Sequence, residues 1–178
     1  MESLEVVARP HFEKSDLAWL TEIRSRRTGN PGPPYFTLVF SGLDLTPAAF
    51  AEEIRARAAE VSRIRFHLRS ALVVPEPMVR RFHVFLIPDE GFAAILKLHD
   101  ALHAGPLEGA LRPEIPYLPH ITVATTADYA GARKIAGSLN AAGIDIPGHI
   151  DALAIERRAG EVIRQVAEIP LAKGGWFG

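Results

Sequence analysis

Apolar and polar positions alternate over short stretches of this chain and recur at helical spacing over longer ones. Leu4 to Ala8 is a short apolar strand ended by Arg9-Pro10. Leu17, Leu20, Ile23 and Arg24 share one helical face, which predicts a helix capped by Ser15 or Asp16 and running to about Arg27. Thr28-Gly29-Asn30-Pro31-Gly32-Pro33-Pro34 breaks regular structure and delivers the chain to a strand from Tyr35 to Phe40. Ser41-Gly42 turns it, and Thr46 caps a helix from Pro47 to about Ser62, with proline at the tolerant first position. Ile64 to Val74 alternates as a long strand, with Phe66, Leu68 and Ser70 on one side and His67, Arg69 and Ala71 on the other. Glu76-Pro77 turns the chain into an antiparallel partner, Arg81 to Ile87.

Pro88-Asp89-Glu90-Gly91 starts the next helix, with acids at its positive end, and Gly105-Pro106 stops it after about His103. A loop from Leu107 to Tyr117 leads to a strand, Leu118 to Ala124. Asp128 caps a helix through about Ala142, ended by Gly143. Ile150 to Glu156 and Val162 to Ile169 form a terminal hairpin about Arg158-Ala159-Gly160, and the tail Lys173 to Gly178 is loosely held. Roughly four helices and seven strands result. Short hairpin links among them favour α+β with antiparallel sheets over a doubly wound parallel sheet.

Two strands share a grammar of proline, polar ring, apolar residue, threonine, apolar residue. They are Pro34-Tyr35-Phe36-Thr37-Leu38 and Pro119-His120-Ile121-Thr122-Val123, close to half the chain apart. Side chains alternate along a strand, so His120 and Thr122 face a cleft while Ile121 and Val123 enter a core. An imidazole titrates near neutrality, and a hydroxyl beside it can donate a hydrogen bond to an oxyanion.

Composition narrows the classes. At 178 residues the chain suits one domain, 1–178, with no sign of a flexible linker. There are no cysteines, which excludes disulfides, thiolate catalysis and cysteine-bound zinc and fits a cytoplasmic setting. The acidic start lacks a signal core, and no apolar run is long enough to span a bilayer. A formal net charge of −1 argues against long duplex nucleic acid but allows a small phosphorylated ligand or an RNA end. The cluster Arg55, Arg57, Arg63, Arg65, Arg69, Arg80 and Arg81 is expected to be a solvated, salt-bridged face.

The paired motifs, together with Val6-Val7-Ala8, Trp19 to Arg24, His83 to Gly91, Leu98-His99-Asp100 and above all Ile115 to Thr122, resemble the two-histidine phosphoesterase superfamily, in particular its bacterial 2′-5′ RNA ligase-like branch. The resemblance implies two pseudo-symmetric lobes, each an antiparallel sheet backed by helices, with the cleft between the sheets. It implies cyclic phosphodiesterase or ligase-like chemistry on nucleotides or RNA ends carrying a 2′,3′-cyclic phosphate or 2′-5′ linkage. No cofactor, no metal and no protein partner are implied. It also implies the site residues Tyr35, Thr37, His120 and Thr122. In that family one histidine takes a proton from the attacking oxygen, the other protonates the leaving ribose oxygen, and the threonines hold the non-bridging oxygens.

The chain departs from the pattern at Tyr35, where a histidine is expected. A tyrosine in water titrates at about 10, so it donates a proton more readily than it takes one. Tyr35 can therefore be the acid to His120's base, or a ring that only binds, leaving a nucleotide-binding module. A third class rests on His99-Asp100-Ala101-Leu102-His103, two histidines one helical turn apart, resembling a zinc hydrolase helix and taking His149 as third ligand. Packed core histidines are the simpler account. His83, sharing a face with Arg81 and Phe85, is a candidate for the cleft wall; His11 and His67 carry no specific expectation.

Overall fold

Alternation builds two sheets, and every strand pair within them is antiparallel. The computed structural model describes residues 2–29, 32–41, 45–76, 79–113, 115–160 and 162–172, with Glu2 and Ser41 described by backbone alone. In chain order the elements are β1 (Glu2–Ala8), β2 (His11–Phe12), α1 (Lys14–Thr28), β3 (Phe36–Ser41), α2 (Pro47–Ala58), β4 (Ile64–Pro75) and β5 (Phe82–Pro88). There follow α3 (Phe92–Leu102), a 3-10 helix (Gly105–Ala110), β6 (Ile121–Thr126), α4 (Tyr129–Ala141), β7 (Ile146–Ile150), β8 (Ala152–Ala159) and β9 (Val162–Pro170). One sheet has the order β3-β1-β8-β9 and the other β2-β7-β4-β5-β6. Helix α4 packs on β4, β5 and β6, α1 on β6, and the α2–α3 pair on the first sheet through β9 and β3. The result is α+β, two antiparallel sheets backed by helices.

Local chemistry sets several boundaries. Thr46 Oγ1 accepts from the Ala49 amide at 3.2 Å, and Asp128 accepts from the Ala130 and Gly131 amides at 3.2 and 2.8 Å, so both predicted caps start their helices. Helix α1 begins earlier than predicted: it is entered through Glu13 with no side-chain cap, and Asp16 falls in the first turn instead. Helix α2 stops at Ala58, short of Ser62, and the predicted loop after Gly105 begins as the 3-10 turn.

The long strand β4 corrects a second expectation. Its pairing with β5 slips between Leu68 and Ser70, so one residue bulges out and the alternation changes phase. Ala71 therefore joins Phe66 and Leu68 in the core, and Ser70 faces out, the reverse of the predicted sides. The terminal hairpin forms as expected, but Arg158 and Ala159 are paired strand residues, and the turn follows them at Gly160. The predicted turn residues Gly42 and Pro77, the breaker residues Asn30 and Pro31, and the tail 173–178 lie outside the described residues.

A continuous set of buried side chains joins the sheets. Phe36 of β3 meets Phe66 of β4 edge to face, 5.1 Å between ring centroids, with Phe50 and Ile54 of α2 and Ile95 and Leu98 of α3 in the same cluster. Among the described residues no helix is long and apolar enough to cross a membrane.

Candidate active-site cleft

The two motifs repeat in burial as well as in sequence. Pro34, Phe36 and Leu38 are buried while Tyr35 and Thr37 are half-buried; Pro119, Ile121 and Val123 are buried while His120 and Thr122 are half-buried. Each motif leads into an edge strand, β3 in one sheet and β6 in the other. An edge tolerates the missing proline donor, and each buried ring fixes how the chain enters. Within each motif the two candidate side chains thus alternate with buried ones, as strand periodicity requires.

His120 is held in one orientation. Its Nδ1 lies 2.6 Å from the Leu118 carbonyl oxygen, which can only accept, so Nδ1 carries the proton and Nε2 presents a lone pair. Among the described residues Nε2 has no partner. The ring stacks on Phe85 with centroids 3.6 Å apart and planes 16° apart, and Phe85 in turn stacks on His83 at 5.7 Å. Burial, opposed by the Leu118 carbonyl and reinforced by His83, brings the His120 pKa down to about 4. Neither the Thr122 nor the Thr37 hydroxyl has a hydrogen-bond partner among the described residues, so both are free for a ligand.

Two contacts cross from one motif to the other. Arg24 Nη1 of α1 donates to the Thr122 carbonyl at 2.9 Å, and the same guanidinium lies over the Tyr35 ring, 5.0 Å from its centroid. Tyr117, just ahead of the second motif, donates its hydroxyl to the Thr37 carbonyl at 3.0 Å while its ring stacks on His99. Burial drives the Tyr117 phenol above its usual range, which keeps it a donor.

Arg24 is the unusual member. It is 2% exposed, its Nε has no partner, and no carboxylate pairs with it among the described residues. Burial pulls its pKa below the ordinary arginine value, and Tyr35 pushes back through charge and hydrogen bonding. The buried carboxylates are committed to other arginines: Glu156 pairs with Arg9, and Glu5 holds Arg158 at 2.7 Å. A buried cation without a counter-ion costs several kcal/mol, on the order of what breaking a buried pair costs.

The remaining histidines divide. His99 and His103 are buried as predicted, but His103 Nδ1 donates to the His99 carbonyl at 2.8 Å and His99 is stacked on Tyr117. They gather no third ligand among the described residues, and His149 lies instead on β7 opposite His11. His83 shares the Phe85 face, with Nδ1 3.0 Å from Thr125 Oγ1 and Nε2 3.3 Å from Glu76. Five of the seven arginines of the predicted face form salt bridges among the described residues: Arg55 to Glu52, Arg57 to Glu53, Arg63 to Asp151, Arg69 to Asp89 and Asp145, and Arg81 to Glu76. Sequence reasoning placed Arg24 only on a helix face. The available signal was an arginine recurring at core spacing in an otherwise apolar row.

The family model described as the 2′-5′ RNA ligase superfamily matches residues 12–161. No curated protein matches the chain in sequence. Among solved structures, TT0787 of Thermus thermophilus is 17% identical with a TM-score of 0.64, covering 97% of this chain and 99% of that one. Usb1 of Kluyveromyces marxianus is 13% identical with a TM-score of 0.55, covering 95% and 98%. LigT of E. coli is 14% identical with a TM-score of 0.56, covering 97% and 99%. Usb1 has also been solved with uridine monophosphate, and LigT with 3′-AMP. At these identities the likeness is one of fold.

Proposed function

The chain belongs to the 2′-5′ RNA ligase superfamily, the two-histidine phosphoesterases, and from that membership we propose that it acts on 2′,3′-cyclic phosphate or 2′-5′-linked nucleotides or RNA ends. The observation that carries the reading is Arg24: a buried guanidinium with no carboxylate partner among the described residues, touching both motifs. A phosphodiester between the two threonine hydroxyls supplies the missing negative charge. LigT and Usb1 with bound nucleotides support the same ligand class by analogy.

The roles follow from proton positions. His120 presents an unprotonated Nε2. Burial holds its pKa well below neutrality, so the imidazole is unprotonated at pH 7 and is assigned the role of base rather than acid. Nε2 takes a proton from water as its oxygen attacks phosphorus. The bond from phosphorus to one ribose oxygen breaks on the opposite side. The Tyr35 phenol gives its proton to that oxygen and recovers one from the protonated His120 through solvent. Thr37 and Thr122 donate to the non-bridging oxygens, whose charge grows in the transition state. No metal is needed in this scheme.

A second reading is a nucleotide-binding module without turnover. It is favoured by the Tyr35 ring lying under Arg24, where the family pattern has a histidine. Incubation with a panel of 2′,3′-cyclic nucleotides separates the two. Turnover lost in His120→Ala supports the enzyme; saturable binding with no product at any pH supports the module; neither binding nor product overturns both.

A further inference from the structure

Outside the cleft, the two places where the chain passes between the sheets come together. β1 of the first sheet leads through Arg9 and Pro10 into β2 of the second, and β7 of the second leads through Asp151 into β8 of the first. At that junction His11 pairs with His149 across the β2–β7 ladder, and their rings stack with centroids 5.0 Å apart and planes 19° apart. Both imidazoles turn Nε2 toward one carboxylate: His11 is 3.0 Å from one Asp151 oxygen and His149 is 3.8 Å from the other. One ligand atom from each of the three lies within 4.8 Å of the others.

From this geometry we propose that His11, His149 and Asp151 form a site for a first-row divalent transition-metal ion, with zinc as the natural probe. Two imidazoles and one carboxylate suit such ions, which hold nitrogen and oxygen ligands at about 2.0–2.2 Å. Ligand atoms around a tetrahedral ion of that kind sit roughly 3.4 Å apart, so the cluster must close by up to about 1.5 Å. His11 and Asp151 have the freedom to do so, with side chains 61% and 33% exposed. The histidines line an open groove of about 390 Å³ with Phe12, Arg65, His67 and Gly148, which leaves room for water to complete the shell. Arg63 already stands 3.6 Å from Asp151 and competes with an incoming cation. The ion would clamp both sheet-to-sheet crossings at one point, so its role is structural and independent of phosphoester chemistry in the cleft.

The test is zinc titration of chelator-stripped protein by calorimetry, with thermal melting alongside. One equivalent of zinc is expected to bind and raise the melting temperature of the wild type. His11→Ala, at an exposed position, and Asp151→Asn are each expected to weaken binding by roughly 100-fold and abolish the melting shift. Arg63→Ala is expected to tighten it. Absence of uptake by the wild type, or uptake unchanged in His11→Ala and Asp151→Asn, overturns the assignment. Uptake lost only in His103→Ala also overturns it and moves the ion to the α3 histidines.

Discussion

Phe85 and His120 lie ring on ring, 3.6 Å between centroids and 16° between planes, and this contact covers one face of the imidazole that the second motif presents. Stacking removes water from that face and disfavours the charged form. Phe85→Ala readmits water, so the His120 pKa should rise from about 4 toward the ordinary histidine value of about 6.5. Titration of the imidazole signals by NMR measures this. An unmoved pKa would assign the depression to the rest of the pocket.

The same depression makes a statement about stability. A histidine held neutral in the fold binds its proton less readily than in the unfolded chain. Stability is therefore full above about pH 6.5 and falls with acidification until about pH 4, where the folded group protonates too. His120 contributes at most about 3 kcal/mol of this fall, and His103, also lowered by burial, acts in the same direction. Urea unfolding at pH 7 and pH 4.5 should show a smaller loss for His120→Asn than for the wild type. Equal losses would remove His120 from the account.

Tyr35→His restores the family pattern at the first motif. If proton donation by the Tyr35 phenol limits turnover, kcat on a 2′,3′-cyclic nucleotide should rise by about 10²-fold or more, within the span of a general acid. Steady-state kinetics at pH 7 decide it, and a fall in kcat would show that the phenol is the better donor at this position and that its proton transfer does not limit turnover.

Thr37 and Thr122 should act as a pair of oxyanion donors. Each Thr→Val substitution keeps the strand-favouring shape and removes only the hydroxyl, so kcat should drop by about 10²-fold with the melting temperature nearly unchanged. A loss confined to KM would mean that the hydroxyls bind ground state and transition state equally.

Arg24→Met tests the buried cation. Methionine fits the buried site without a charge, so the free protein should keep its stability or gain some. Inorganic phosphate should then no longer raise the melting temperature, as it is expected to do for the wild type. A phosphate shift of equal size in both proteins would show that the cation sits off the anion's path.

Much of this arrangement was legible before any coordinates. The five-residue grammar at Pro34 and Pro119 encodes burial outright, because strand alternation and proline leave few other arrangements. Thr46 and Asp128 start their helices because a short oxygen-bearing side chain meets free amides there. Other features depend on distant partners and leave no local trace. Strand β2 is two residues long and exists through its ladder with β7. Strand β7 contains Pro147-Gly148, which looks like a turn; Gly148 is there because a Cβ would come within 2.6 Å of the Phe66 ring. The bulge in β4 and the Arg24 bridge likewise arise from packing between segments far apart in sequence.

The strand order has a consequence for how the protein is made. The first sheet takes its strands from both ends of the chain, β1 and β3 early, β8 and β9 last, with the second sheet threaded between them. During synthesis β1 must therefore wait until residues 9–151 have been made before its neighbour β8 leaves the ribosome. Such late, long-range closure slows folding and leaves the β8-facing edge of an apolar strand open to wrong partners meanwhile. Neither lobe can be expressed by cutting the chain at its middle, and nascent-chain protection by chaperones is most needed for Leu4 to Ala8.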